Sequence, residues 1–162
     1  MLRINFKKIL TDLIIVLAIF SVDRLSKVYI LKMAELEGIV NIYITQYLNF
    51  YLIWNKGIAF GLFSYNESFV YNLITSIITT VTIVILIMII KNEGFKKYSL
   101  LLVFGGSLGN LFDRIYYSAV PDFIDFHIND FHWFVFNCAD IFITIGVICL
   151  ILDEMFINSK KI

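Results

Sequence analysis

The sequence predicts an α-helical membrane protein with four transmembrane helices and a small β-structured platform outside the membrane. Hydrophobic residues make up 60% of the 162 residues, and the mean hydropathy is +0.85. Charged residues make up 16%, below the roughly 25% usual for soluble domains. Four apolar segments are separated by polar ones, and one segment is instead rich in β-branched and aromatic residues. The length fits a single domain, here residues 1–162.

The first predicted span covers approximately residues 9–30 and follows a basic N-terminus that contains Arg3, Lys7 and Lys8. A secretory signal peptide would have small residues at a cleavage site after its apolar stretch. This segment has the polar sequence DRLSK there, at 23–27, so it is interpreted as a retained helix.

The segment at 39–54, IVNIYITQYLNFYLIW, favours short strands because β-branched and aromatic residues dominate it. The turn-rich sequence NKGIAFGLFS follows. Together they predict a β-structured platform over approximately 39–63, lying at the membrane surface where aromatic side chains are favoured.

Three further spans are expected at approximately 73–90, 98–112 and 135–155. The N-terminus, the 91–97 loop and the C-terminal tail are basic, whereas the 113–134 segment, interpreted as a loop, has one basic residue, Arg114, and four acidic ones: Asp113, Asp122, Asp125 and Asp130. The positive-inside rule therefore predicts cytoplasmic termini and an acidic loop on the extracytoplasmic side. The zero net charge gives no reason to expect nucleic-acid binding.

The third span contains two small residues and ends in polar ones. Gly105 and Gly109 are four residues apart, so they share a helix face on which another helix can pack closely. Asn110 and Asp113 share a face at the outer end of the span, next to Arg114. An ion-pair network with Asp23 or Lys27 of the first span and a direct catalytic role are both open for this group.

Asp122 and Asp140 form the most distinctive pair of acids. They are 18 residues apart, one after the third span and one at the start of the fourth, so the chain can fold back and bring them together. Two carboxyl groups in a poorly hydrated site share a proton, so that one acts as a base and the other as an acid. This is the chemistry of an aspartic protease, and the sequence does not assign the two roles.

Three other interpretations use the same residues. His127 and His132 suggest a metalloprotease, although their spacing matches none of the standard zinc patterns. Cys138 with His132 suggests a thiol nucleophile, although a cysteine among apolar residues is usually a small hydrophobe. The acids within the apolar segments also suggest a small transporter or proton-coupled channel, although the 73–90 span contains none of them.

Five blocks in order resemble the lipoprotein signal peptidase family, the type II signal peptidases of bacteria. They are DRLSK (23–27), NKGIAFG (55–61), GGSLGNLFDR (105–114), VPDFIDF (120–126) and FNCAD (136–140). The resemblance extends from the first span to the last, and it rests on all five blocks rather than on any one of them.

The resemblance implies a multi-pass inner-membrane aspartic endopeptidase with an extracytoplasmic β-cradle and no metal or other cofactor. Its substrates would be diacylglyceryl-modified prolipoproteins, cut before the modified cysteine, and globomycin-type antibiotics would inhibit it. By position, the catalytic residues would be Asp122 and Asp140. The supporting or substrate-binding residues would be Asp23, Lys27, Asn55, Gly57, Asn110, Asp113, Arg114 and Asn137. A monomer in contact with membrane lipid is expected.

Three positions depart from the family's usual pattern. Pro121 stands where valine is common, Ile141 where serine or threonine is common, and Trp54 where a basic or polar residue is common. Pro121 would fix the backbone beside Asp122 and remove one hydrogen-bond donor. None of the three departures removes an acid of the pair, so they bear on local geometry and substrate preference.

Overall fold

The computed structural model describes residues 6–57, 67–129 and 131–158. Helix α1 is Phe6–Glu37, α2 is Glu67–Lys91, α3 is Gly94–Tyr117 and α4 is Cys138–Leu152, and a π-helical segment, Asp153–Asn158, continues α4. The strands are β1, Asn41–Thr45; β2, Leu48–Asn55; β3, Val120–Ile128; and β4, Phe131–Phe136. The fold is therefore mostly helical with one sheet.

Helix α3 is at the centre of the helical part and packs against α1, α2 and α4. Glycines of α3 allow α1 and α4 to pack closely against it. A Cβ atom on Gly105 would lie 2.9 Å from Ile19 of α1, and one on Gly106 would lie 2.5 Å from the carbonyl oxygen of Ala139 in α4. A Cβ atom on Gly109 would lie 2.5 Å from the Asp23 carboxylate. The predicted packing role of Gly105 and Gly109 is confirmed.

The four strands form one antiparallel sheet in the order β1-β2-β3-β4. Two of the strands, β3 and β4, form a hairpin that begins at Val120. The interpretation of 113–134 as a loop was therefore wrong. The sequences VPDFIDFHI and FHWFVF are rich in aromatic and β-branched residues, as strands are, but the segment was interpreted as a loop because it lies between two predicted spans. Pairing with β2 satisfies the backbone of β3, and Asn55 of β2 donates a hydrogen bond to the Asp122 carboxylate.

The predicted platform at 39–63 contains only two of the four strands, β1 and β2, and the second of them ends at Asn55. Residues 58–63 of that prediction lie outside the described residues, as does Asp130. The sheet packs on the end of α1 through an apolar cluster that includes Ile30, Val40 and Phe123. Phe123 follows Asp122 in β3, so this cluster fixes the strand that carries Asp122.

Each helix differs in length from its predicted span. Helices α1, α2 and α3 extend beyond the predicted spans at 9–30, 73–90 and 98–112, because each continues through flanking polar residues. The prediction at 135–155 began too early, because Val135 and Phe136 belong to β4. Hydropathy does not distinguish an apolar strand from the helix that follows it.

One helical stretch within the described ranges, Ser68–Lys91 of α2, is long and apolar enough by length and composition to cross a membrane. Helices α1 and α3 carry more charged residues along their length, including Asp23 and Lys27 in α1 and Asp113 in α3, whereas α4 is 15 residues long.

Candidate active site

Asp122 lies on β3 with its carboxylate held by two amide side chains. Asp122 is buried, with 3% of its surface exposed. Asn55 at the end of β2 donates from Nδ2 to Oδ2 at 2.8 Å, and Asn137 donates from Nδ2 to Oδ1 at 2.5 Å. Both oxygens of Asp122 therefore have a neutral donor, and the carboxyl group has a fixed orientation.

Asp140 lies in the first turn of α4, where a capping box begins the helix. Its Oδ2 accepts from the Asn137 backbone N–H at 3.0 Å, and its own N–H donates to Asn137 Oδ1 at 3.2 Å. Its other oxygen accepts from Asn110 Nδ2 of α3 at 2.8 Å. Asn137 thus bonds to both acids, to Asp122 through its side-chain nitrogen and to Asp140 through its backbone nitrogen and side-chain oxygen.

Both acids line one cavity of about 560 Å³ between the sheet and α4. The other lining residues are Asn55, Phe134, Val135, Phe136, Ile141, Thr144 and Ile145. The two acids, Asn55 and Thr144 are therefore the polar residues of a wall that is otherwise apolar.

Burial raises the pKa of Asp122 to about 6, because a poorly hydrated environment disfavours the charged form. The hydrogen bonds from Asn55 and Asn137 act in the opposite direction, while the charge of Asp140 raises the pKa further. Asp122 therefore keeps its proton at a pH where an exposed aspartate would have lost it.

Lys27 is the centre of an ion cluster behind Asp140, and the Lys27, Asp23 and Asp113 side chains are fully buried. Its Nζ lies 2.9 Å from the Asp23 carboxylate and 2.6 Å from that of Asp113, and it donates to Asn110 Oδ1 at 3.0 Å. Asp23 also accepts from the Ala139 N–H of α4 at 3.0 Å. The predicted partnership of Asp113 with the first span is confirmed, and Asn110 connects this cluster to Asp140.

Arg24 completes the cluster and was missed by the sequence reasoning. Its guanidinium lies 2.5 Å from Asp113 and 4.8 Å from the centroid of the Phe112 ring. With two cations and two anions, the cluster is electrically balanced in the low-dielectric helix interface. The available signal was spacing, because Arg24 and Lys27 are three residues apart and so share the face of α1 that meets α3.

Arg114 lies elsewhere, close to Gly57 and Tyr71. A Cβ atom on Gly57 would lie 3.0 Å from the guanidinium, and Gly57 has φ +77°, so both space and backbone conformation favour glycine there. Tyr71 Oη donates to the Arg114 carbonyl oxygen at 2.7 Å. The cluster around Lys27 therefore contains Asp113 but not Arg114.

Two of the three departures lie beside Asp122 and the third lines its cavity. Pro121 pairs with Trp54 across β2 and β3, and its side chain is fully buried. Trp54 packs against Tyr117 with ring centroids 5.5 Å apart. Ile141 lines the cavity next to Asp140, where a serine or threonine would add a hydroxyl.

The alternative residues do not belong to this cavity. Cys138 packs against the apolar cluster under the sheet, which fits a small hydrophobe. His127 and His132 are a cross-strand pair on the β3–β4 hairpin, close to Asp125 rather than to Asp122.

Comparison with known proteins identifies relatives over nearly the whole chain. A protein of Pelagibacter ubique named lipoprotein signal peptidase is 57% identical over 159 residues, which cover 98% of this chain and 96% of the relative. One of Anaplasma phagocytophilum with the same name is 38% identical over 151 residues, 92% of this chain and 94% of the relative.

Solved structures share the fold. One described as a bacterial membrane enzyme superposes with a TM-score of 0.70 at 30% identity, covering 94% of this chain and 92% of the other. A second with the same description gives a TM-score of 0.71 at 28% identity over 90% and 93%. The sequence profile of signal peptidase (SPase) II matches residues 15–156. The chain therefore belongs to the signal peptidase II family, and it is a bacterial membrane peptidase.

Proposed function

We propose that this protein is an aspartic endopeptidase that removes the signal peptide from bacterial prolipoproteins, with Asp122 and Asp140 as its catalytic residues. The observation that carries the proposal is that one residue, Asn137, bonds to both carboxyl groups while both line one cavity. Paired carboxyl groups in an apolar site are suited to acid–base hydrolysis.

Different surroundings give the two acids different roles. Asp140 lies in the first turn of α4, where the helix dipole and the Asn137 N–H stabilise negative charge. Asp122 is buried on a strand and has a raised pKa. Asp140 is therefore the base that draws a proton from water, and Asp122 is the acid that protonates the substrate carbonyl oxygen.

The reaction then proceeds in two balanced steps. The water oxygen bonds to the carbonyl carbon as its proton passes to Asp140 and the Asp122 proton passes to the carbonyl oxygen. The resulting tetrahedral diol collapses as the C–N bond breaks. Asp140 gives its proton to the leaving amine, and Asp122 regains one from the diol hydroxyl.

The cavity suits a substrate that is half peptide and half lipid. Phe134, Ile141 and Ile145 form an apolar surface beside the two acids, and all three are at least 38% exposed. The diacylglyceryl group of the modified cysteine would contact this surface while the peptide bond before it lies at the acids. A globomycin-type inhibitor would compete for the same surface.

Four transmembrane helices with cytoplasmic termini fit the distribution of side chains. Large apolar residues point outward on every helix, for example Leu17, Val84, Ile115 and Ile148, each at least 48% exposed. Ion pairs join α1 to the start of α3 at the end away from the sheet, between Lys97 and Asp12 and between Lys8 and Glu93. We assign these charges to the cytoplasmic surface of the membrane. The sheet and the two acids are then at the extracytoplasmic surface.

The test is cleavage of a diacylglyceryl-modified precursor by the purified protein. Asp122→Asn and Asp140→Asn should each lower kcat by at least about 10²- to 10⁴-fold. Asp12→Asn is the control, since Asp12 is an aspartate that pairs with Lys97 at the end of the helices away from the sheet. Full activity in the Asp122→Asn or the Asp140→Asn variant, with unchanged thermal stability, would refute the proposal. Activity that survives strong chelators would exclude a metalloprotease.

A further inference from the structure

A second cluster of reactive side chains lies on the β3–β4 hairpin and takes no part in the proposed hydrolysis. It consists of Asp125, His127 and His132, whose ligand atoms all lie within 4.8 Å of one another. We propose that these three residues bind a divalent transition metal ion of the zinc type, which holds the hairpin together and is separate from the catalytic acids.

The sheet register creates the cluster. Asp125 and His127 are two apart on β3 and so project from the same face. His127 faces His132 across β3 and β4, and their rings stack with centroids 5.0 Å apart. The five-residue spacing that matches no linear zinc pattern therefore becomes a direct cross-strand contact.

The distances are close to those of a metal site. His132 Nδ1 lies 2.8 Å from Asp125 Oδ2, and His127 Nδ1 lies 3.7 Å from the same oxygen. With metal–ligand bonds of about 2.0–2.1 Å, the ligand atoms of a tetrahedral ion are about 3.3 Å apart. The observed separations bracket this value, so small side-chain rotations suffice.

Two buried polar atoms at this site have no hydrogen-bond partner among the described residues. His127 Nδ1 is buried and has no hydrogen-bond partner among the residues that the structure describes. The same holds, within those residues, for Oδ1 of Asn49, which pairs with Asp125 across β2 and β3. Buried polar atoms without a partner are unfavourable, and a cation at the cluster would engage the histidine nitrogen.

A cavity gives access to the cluster. Asn49, Asp125 and His132 line a cavity of about 420 Å³ that is distinct from the one containing Asp122 and Asp140. The His132 side chain is 57% exposed, so an ion can reach it from solvent. Asp122 and Asp140 do not line this cavity.

The ligand types select the metal. Two imidazoles and one carboxylate suit zinc, cobalt or nickel, whereas calcium and magnesium prefer sites built of oxygen ligands. The ion would bind neutral imidazoles and one carboxylate.

The experiment uses untagged, full-length protein in detergent, freed of metal and titrated with Zn²⁺ by calorimetry. We expect one ion per chain and a higher Tm in its presence. His127→Gln with His132→Gln should lose this binding while keeping cleavage of the lipidated precursor. Asn41→Ala, which alters the same cavity but none of the three ligands, should still bind. Absence of binding in the wild-type protein, or unchanged binding in the histidine variant, would overturn the proposal.

A measurement on the wild-type protein covers the case in which the variants fail to fold. The chain contains two histidines, and both are in this cluster. X-ray absorption of the zinc-loaded protein should therefore show scattering from two imidazoles. Coordination without imidazole would refute the proposal, because the ion would then be bound elsewhere.

Discussion

Asn137 donates a 2.5 Å hydrogen bond from Nδ2 to Oδ1 of Asp122. Its side chain therefore holds an acid that is 15 residues earlier in the chain, while its backbone begins the helix that carries the other acid. Asn137 therefore connects the two acids directly, whereas Asn55 bonds to Asp122 and Asn110 bonds to Asp140.

Replacing Asn137 by alanine should lower kcat/KM by about 10- to 100-fold. The change removes a hydrogen bond to a carboxyl group, which is worth about 1.5–3 kcal/mol, and weakens the cap of α4. Steady-state cleavage of a lipidated precursor measures the effect. Asn92→Ala is the control, because Asn92 bonds to the Met88 carbonyl at the far end of α2. Equal activities in the two variants would contradict the role of Asn137.

The pH dependence of kcat/KM should report the proton on Asp122. Its pKa is raised to about 6, so the protonated form is present below that pH and is lost above it. If Asp122 acts as the acid, kcat/KM falls as the pH rises through this value. Asn55→Ala removes a hydrogen bond that lowers the pKa, so the alkaline limb should move to higher pH. A limb that stays in place or moves to lower pH would refute this assignment.

The same raised pKa has a consequence for stability. The folded protein binds the Asp122 proton more tightly than the unfolded chain does, so its contribution to the free energy of unfolding is greatest at low pH. That contribution decreases as the pH rises from about 4 to about 6. Wild type and Asp122→Asn should therefore differ in the pH dependence of Tm over that interval, with the variant lacking this decrease. Parallel Tm profiles would contradict the raised pKa.

Lys27→Met should destabilise the protein by about 3–5 kcal/mol, because it leaves the Asp23 and Asp113 carboxylates buried without their main cation. Denaturant or thermal unfolding in detergent measures the loss. Lys8→Met is the control, since the Lys8–Glu93 pair is exposed and its removal should leave stability nearly unchanged. Adding Asp113→Asn to Lys27→Met should restore part of the stability. A loss no larger than that of the control would contradict the importance of charge balance.

Gly109→Ala should lower the free energy of unfolding by about 1–3 kcal/mol through overpacking. The new Cβ atom would lie 2.5 Å from the Asp23 carboxylate, which cannot easily move because Lys27 and the Ala139 N–H hold it. Ser107→Ala on the same helix is the control. Similar stability in both variants would show that α1 and α3 can separate without cost.

The sequence predicted the helical part because apolar segments are local signals, and it singled out two acids that the structure places in one cavity. It did not predict the β3–β4 hairpin, because the acids of that segment face partners from β2 and α4 that are distant in the chain. Arg24 was missed for a similar reason, since its role depends on Asp113, 89 residues later. The cross-strand contact of His127 with His132 likewise depends on register, which linear spacing does not show.

The capping box of α4 also bears on when the enzyme becomes active during synthesis. Asp23, Asn55, Asn110 and Asp122 all leave the ribosome before Asn137 and Asp140. Asp122 thus lacks one of its two donors, and the second acid is missing, until α4 has joined the other helices. With Asp122 and Asp140 as the proposed catalytic pair, the growing chain cannot cut peptides until this helix has docked.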